Sequence, residues 1–430
     1  MEKKTIQVAL LGLGTVGTGV YKVLQNQREE MLSKLGAEVE IKRILVRNLE
    51  KAAKKVEDDS VLTNRWEDII HDDAISVVIE VMGGMEPART YIMEALAAGK
   101  HVVTANKDLI AVDGKELLDM AGTHHSDLLF EAAVAGGIPI IRPLKQCLAG
   151  NHITEVMGII NGTTNFILTK MTEEGMEFEE ALALATELGY AEADPTADIE
   201  GYDAGRKLAI MASIAFNSRV TFDDVYTEGI AKITAKDIKY AREMGCDIKL
   251  LGVARNTDTG IEVRVHPMLI PSAHPLASVK DAFNAVFVHG DAVGDTMFYG
   301  SGAGEMPTAS AIVGDVFDIA RNIRYQCSGR ISCTCYKELP IKQIGDIRSR
   351  YFLRMQVDDK PGVLASVASV LANNSVSIAQ VIQKAKSSET AEIVVITDSV
   401  EERHFNDSLA IFQGMSVIRK ISSVIRVYGE

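Results

Sequence analysis

The chain has 430 residues, 47% of them hydrophobic and 24% charged, with a formal net charge of −14. That length holds about two to four domains, and the acidity argues against nucleic acid and anionic membranes as partners. No run approaches the roughly 20 apolar residues of a membrane span, the first residues lack the apolar core of a signal peptide, and five cysteines, few and odd in number, suit a reducing cytoplasm.

Residues 6–11 read as a short apolar strand that runs into Gly12-Leu13-Gly14-Thr15-Val16-Gly17, after which Val16, Val20, Val23 and Leu24 recur at helical spacing. G-x-G-x-x-G between a strand and a helix is a dinucleotide-binding turn. The glycines permit the tight turn, the approach of backbone amides to a pyrophosphate and close packing of a helix whose positive end faces the phosphates. A second strand over 39–46 ends at Arg47, with Lys51 four residues on. An acidic residue there would bind the ribose hydroxyls of NAD, whereas an arginine accommodates the 2'-phosphate of NADP. The sequence leans to NADP and leaves NAD possible; the alternative is a pair of solvated charges at a helix start.

Further strands over 75–81, 101–104 and 127–130 lead into Gly83, Lys107 and Glu131, with a helix over 87–98 between the first two. This alternation predicts an α/β fold, a Rossmann-type doubly wound parallel sheet spanning 1–134 and completed by 301–330. Ligands of such sheets lie at the carboxyl ends of the strands, where Gly12, Gly83, Lys107 and Glu131 all fall. Lys107 there is either functional or an ordinary solvated lysine.

Residues 135–300 have the mixed texture of an α+β substrate-binding and dimerisation domain. Cys147, in Leu144-Lys-Gln-Cys-Leu-Ala, reads as a core residue on a helix. Asn161-Gly-Thr163-Thr164-Asn165 is a polar loop ahead of a helix, with Thr164 or Asn165 as its N-cap. In Gly201-Tyr-Asp203-Ala-Gly-Arg-Lys207 an acid and a lysine stand four apart at the start of an apolar helical run and project from one face. Alone, they read as a surface ion pair. With Glu192, Asp194 and Asp198 just upstream they also form a set able to hold an amino-acid-like substrate and move a proton.

The dinucleotide turn, Thr104-Ala-Asn-Lys107, Asn161-Gly-Thr-Thr-Asn165 and the long string from Gly189 to Lys207 together resemble homoserine dehydrogenase of the form bearing a C-terminal ACT domain, over essentially the whole chain. The resemblance implies interconversion of L-homoserine and L-aspartate 4-semialdehyde with NAD(P), a step towards threonine, methionine and isoleucine. It implies Lys207 as the acid/base, with Lys107 contacting cofactor and substrate. Glu192, Asp203, Asp198 and Thr163 are then substrate-binding, and Thr15, Val16, Gly83, Gly189 and Gly302 join the glycine turn along the cofactor. Glu131 with the backbone of Val134, Gly136 and Ile138 resembles the family's site for a monovalent cation such as Na+, all oxygen as a hard cation requires. A lysine serves as base only if its pKa falls from ~10.4 towards neutrality. Lys107 close to Lys207 would lower it, and Asp203 would oppose this unless the substrate's ammonium occupies Asp203.

Residues 331–350 read as a linker, and Cys327, Cys333 and Cys335 lack the spacing of a zinc knuckle. Strands over 351–357, 377–383, 392–396 and 422–427, with helical spacing from Val363 to Leu371 and over 404–412, give the ferredoxin-like order βαββαβ. With the turn Asp359-Lys-Pro-Gly-Val-Leu, residues 351–430 resemble an ACT domain. That implies an amino-acid effector, L-threonine as the pathway product, and a homodimer or homotetramer; a purely structural pairing module is the alternative. Two other function classes stand beside this reading. One is a semialdehyde dehydrogenase, which needs a nucleophilic cysteine such as Cys147. The other is an amino-acid sensor retaining a cofactor domain, against which the Glu192, Asp203 and Lys207 set speaks.

Overall fold

The computed structural model describes residues 4–330, 333–386 and 390–429. Six strands lie side by side in the order Leu62–Thr63, Ala37–Leu45, Lys4–Leu11, Ile75–Glu80, His101–Thr104, Leu128–Leu129, and every neighbouring pair is parallel. His101–Thr104 is buried at every position and Ile75–Glu80 at all but Ser76, as in strands covered on both faces. The strand order reverses between Lys4–Leu11 and Ile75–Glu80, the switch point at which doubly wound sheets take a nucleotide. The Glu305–Tyr325 helix, within the 301–330 segment expected to complete this domain, returns to the sheet. Its Ile312, Val316 and Ile319 share a core with Val8, Val20 and Ile79.

The chain divides into two compact units: Met1–Val156, Arg206–Asp224 and Phe283–Glu338 form one, and Met157–Gly205, Val225–Ala282 and Leu339–Glu430 the other. This division differs from the boundaries read off the sequence. The first unit holds the parallel sheet and an antiparallel hairpin of Phe283–Gly290 with Gly294–Ser301. In the second, the hairpin Cys246–Thr257 and Gly260–Pro271 is antiparallel. Gly260–Pro271 then pairs in parallel with the final strand, Ile418–Val427, through Met268↔Arg426 and Leu269↔Val427. That strand continues antiparallel into Arg348–Asp358, Thr390–Thr397 and Ile378–Lys386. The four C-terminal strands therefore have the spatial order last, first, third, second, the ferredoxin-like arrangement expected. Their helix Val363–Asn373 buries Val363, Val367 and Leu371, one stripe at four-residue spacing.

The expected linker is shorter than read: the first C-terminal strand starts at Arg348, with Ile347 and Ser349 already buried. Alternating polar residues in a strand covered on one face look like linker when read locally. No helix among the described residues is long and apolar enough to cross a membrane.

Candidate active site

The dinucleotide turn is built as its glycines predict. Gly14 precedes the Thr15–Asn26 helix without a side-chain cap, and the helix has no acidic residue in its first turn, so its N–H groups and positive end are suited to an anion. A Cβ on Gly17 would lie 2.2 Å from the Gly12 carbonyl oxygen, so only glycine lets the helix start this close to the strand end. Beside the turn is a cavity of about 440 Å³, lined by Gly12, Gly14, Arg47, Lys51, Lys55 and Met82 among others. Its lining contains three basic residues and no acidic one. Lys55, which sequence reasoning missed, donates to the Leu13 carbonyl at 2.9 Å. Thr15 and Val16 open the helix, and Gly83 follows the Ile75–Glu80 strand with φ +72°.

A buried carboxylate that the sequence reading passed over braces the strand ends. Glu80 accepts from the amides of Met82 (2.8 Å) and Gly83 (3.2 Å) and from the Thr104 hydroxyl (2.6 Å). Asn106 caps the Lys107–Thr123 helix by accepting from the Leu109 amide and donates to the Gly84 carbonyl at 2.7 Å. Thr104-Ala-Asn-Lys107 is thus a brace that fixes where half-buried Lys107 begins its helix. The acid ending an otherwise apolar strand, and an asparagine before a helix, were the available signals.

The 134–138 loop packs on the loop carrying Gly302. Gly137 donates to the Ser301 carbonyl at 3.1 Å, and a Cβ on Gly302 would strike the Asn284 side chain at 2.1 Å. The Glu131 carboxylate accepts from three consecutive amides, Ile140 (2.5 Å), Ile141 (2.8 Å) and Arg142 (2.8 Å). These three bonds fix the chain path at Glu131. Around it, Arg142 meets Asp315 at 2.6 Å and Asp318 at 3.0 Å. Burial and the neighbouring Glu131 charge push the Asp315 carboxyl up to about 7. Asp318 also pairs with Arg321 at 3.2 Å, and the buried Asn284, whose amide atoms have no hydrogen-bond partner among the described residues, lies beside Gly302. Among the described residues no cluster of His, Cys, Asp or Glu side chains is placed to hold a metal.

In the second unit the carboxylates meet on one amide. Asn161, not Thr164 or Asn165, is the N-cap of the Gly162–Glu174 helix, accepting from the Thr164 amide. Its Nδ2 donates to Asp198 at 2.7 Å and to Asp203 at 2.8 Å. Asp203 is buried and Glu192 exposed. The Thr163 hydroxyl, expected to face substrate, donates to the Tyr190 carbonyl at 2.6 Å. Gly189, expected along the cofactor, lies in this same unit just beyond the Phe178–Glu187 helix. Asp194 caps its own turn through Thr196. Asp203 and Lys207 stand one turn apart on the Tyr202–Phe216 helix, as the spacing predicted. Cys147 is exposed at the end of the Pro143–Cys147 turn and is not a core residue; Pro143 and Leu144 are the buried members of that turn.

Known proteins resemble this chain over its whole length. Residues 12–131 match a family model described as homoserine dehydrogenase, NAD binding domain, residues 139–317 one described as homoserine dehydrogenase, and residues 351–413 an ACT domain. The chain is 45% identical to a homoserine dehydrogenase of Bacillus subtilis, covering 99% of each, and 46% identical to one of Mycobacterium tuberculosis, covering 100% of this chain and 99% of the other. A solved homoserine dehydrogenase from Thiobacillus denitrificans superposes with TM-score 0.94 at 44% identity, covering 99% of both chains. A hyperthermophilic archaeal homoserine dehydrogenase solved in complex with NADPH matches with TM-score 0.63 at 25% identity over 73% of this chain and 97% of its own.

Proposed function

The chain belongs to the homoserine dehydrogenase family and is an NAD(P)-dependent oxidoreductase of amino-acid biosynthesis, and from that premise we propose a division of labour along one helix, with Asp203 binding the substrate's ammonium and Lys207 moving its proton. The observation that carries it is the buried Asp203 carboxylate, oriented by a neutral amide, one helical turn before Lys207. In the oxidising direction NAD(P), when bound, takes the hydride from the carbinol carbon of L-homoserine. Lys207, as the free amine, accepts the hydroxyl proton, and in the reverse direction it returns that proton to the aldehyde oxygen of L-aspartate 4-semialdehyde. Glu192 and Asp198 complete the substrate's polar surroundings, and Lys107 orients cofactor and substrate.

The cofactor within this proposal is NADP, supported by the three basic residues, with no acidic one, in the lining beside the glycine turn and by the NADPH bound to the archaeal relative. A monovalent cation such as Na+ on Glu131 and the backbone of Val134, Gly136 and Ile138 belongs to the same reading. So does a cytoplasmic, at least dimeric enzyme. The ACT segment takes an amino acid, for which L-threonine is the proposed effector. The test is initial rates with NADPH and with NADH, each with and without millimolar threonine. NADPH preference and a threonine-dependent change in rate or oligomeric state are expected; equal cofactor use and no threonine effect would remove both assignments.

A further inference from the structure

We infer that Asn161 is a positioning residue that presents the Asp203 carboxylate to substrate, and that the 161–165 turn is the bracket on which the substrate loops hang; the inference rests on Asp203 binding substrate as proposed above. Asn161 is 5% exposed. Its two N–H groups go to Asp198 and Asp203, and its Oδ1 accepts from both the amide and the hydroxyl of Thr164 at 2.9 Å. An amide has two donors and one acceptor oxygen, so this side chain has no capacity left for a ligand. What it does instead is bring two like charges onto one neutral group. A lysine or arginine in its place would neutralise them; the amide fixes their direction and adds no charge of its own.

Two further residues of the turn act in the same sense. Thr163 holds the Tyr190 carbonyl, two residues before Glu192, and the Phe166 and Tyr190 rings pack at 4.7 Å. Asn165 anchors the turn from below: its Oδ1 accepts from Lys249 Nζ at 3.1 Å, and both side chains donate to the Val279 carbonyl. Lys249 is buried, and desolvation lowers its pKa to about 8. The turn is thus pinned to the Cys246–Thr257 strand on one side and carries Asp198, Asp203 and the Glu192 loop on the other.

Two substitutions separate a helix cap from a positioning role. Asn161→Ser keeps an oxygen for the Thr164 amide, and serine caps about as well as asparagine, yet it has one donor for two carboxylates. Asn161→Asp also caps and replaces the donor by a third carboxylate. Homoserine KM is expected to rise about tenfold in N161S and a hundredfold or more in N161D, because each hydrogen bond to a charged group is worth roughly that range. NADPH affinity by direct titration stays near the parent value, while the melting temperature of N161S falls with the lost hydrogen bond and does not by itself separate the two roles. The acid limb of the kcat/KM profile moves to higher pH, since Asp203 has lost a bond to its charged form. An unchanged KM and pH profile with a lowered melting temperature would make Asn161 a cap only and overturn the inference; having two cap-competent variants keeps the test open if one misfolds. Asp203→Asn, measured alongside, distinguishes the failures. If it raises KM and N161S does not, positioning alone is wrong; if it leaves KM unchanged, the substrate role of Asp203 falls and the inference with it.

Discussion

Glu131 and Asp203 are both buried carboxylates at the ends of short connecting segments, yet they are held in opposite ways. Glu131 accepts from three successive backbone amides and lies near Arg142, so its charge is used to fix the chain path. Asp203 shares a neutral side-chain donor with a second carboxylate, so its direction is fixed while its charge is not neutralised by that donor. The first arrangement fixes the chain path; the second orients a carboxylate that, under the proposed function, meets the substrate's ammonium. Substitutions that fall on either side of this contrast should show opposite signatures.

The largest effect is expected on the chemical side. Lys207→Ala removes the proposed base, so kcat should fall by about 10^2 to 10^4, with the melting temperature and NADPH affinity little changed. Retention of more than about a tenth of the parent kcat would break the assignment. Next comes the structural counterpart. Arg354 is 6% exposed and donates to Asp237 at 2.8 Å and to Glu392 at 3.2 Å, while Glu392 also takes Lys236 and the Tyr240 hydroxyl. Arg354→Leu leaves Asp237 buried without that cation, and should cost about 3 to 5 kcal/mol in urea unfolding with turnover of the folded enzyme near normal. A loss below about 1 kcal/mol would show that these carboxylates do not depend on Arg354.

How much of this could be read from sequence follows from the range of each interaction. The dinucleotide turn was legible because strand, glycines and helix are contiguous, and the ferredoxin-like order because each element carries its own period. The Asp203 to Lys207 spacing was legible for the same reason. Asn161 was read only as part of a polar loop because its partners lie 37 and 42 residues away, and the N-cap was misplaced to Thr164 or Asn165 because every residue of that turn but Gly162 is a fair cap by type. The parallel pairing of Ile418–Val427 with Gly260–Pro271 left no local trace at all, since both strands look the same whatever neighbour they have. The family resemblance places Thr163 at substrate, and the Tyr190 carbonyl that it holds could be found only in three dimensions.

A smaller effect tests whether the basic lining beside the glycine turn recognises a phosphate or only solvates itself. Arg47 and Lys51 face the same cavity, with Lys51 bonded through its amide to Asn48 at 2.8 Å as part of a helix cap. The double substitution Arg47→Ala, Lys51→Ala should raise NADPH KM about tenfold and leave NADH within twofold, because only the 2'-phosphate loses charged partners. An equal change for both cofactors would place these side chains outside phosphate recognition, and they would join Glu131 on the structural side of the comparison.

The smallest effect concerns a buried group with neither role. His266 is fully buried, its Nδ1 lies 2.9 Å from the Pro267 carbonyl, and its Nε2 has no hydrogen-bond partner among the described residues. Burial first, then the Arg426, Arg264 and Arg255 charges, hold its pKa well below the ordinary histidine value of 6.5. The folded state therefore binds fewer protons than the unfolded one below that value, so the stability contribution is present above pH ~6.5 and is lost as the pH falls towards the folded pKa. For one proton the slope cannot exceed about 1.4 kcal/mol per pH unit. His266→Leu removes the titration and an unpaired buried nitrogen, so it should cost little at pH 8 and flatten the decline of the melting temperature between pH 6.5 and 5.5. Parallel melting curves for the two proteins across that interval would show that another group carries the acid sensitivity.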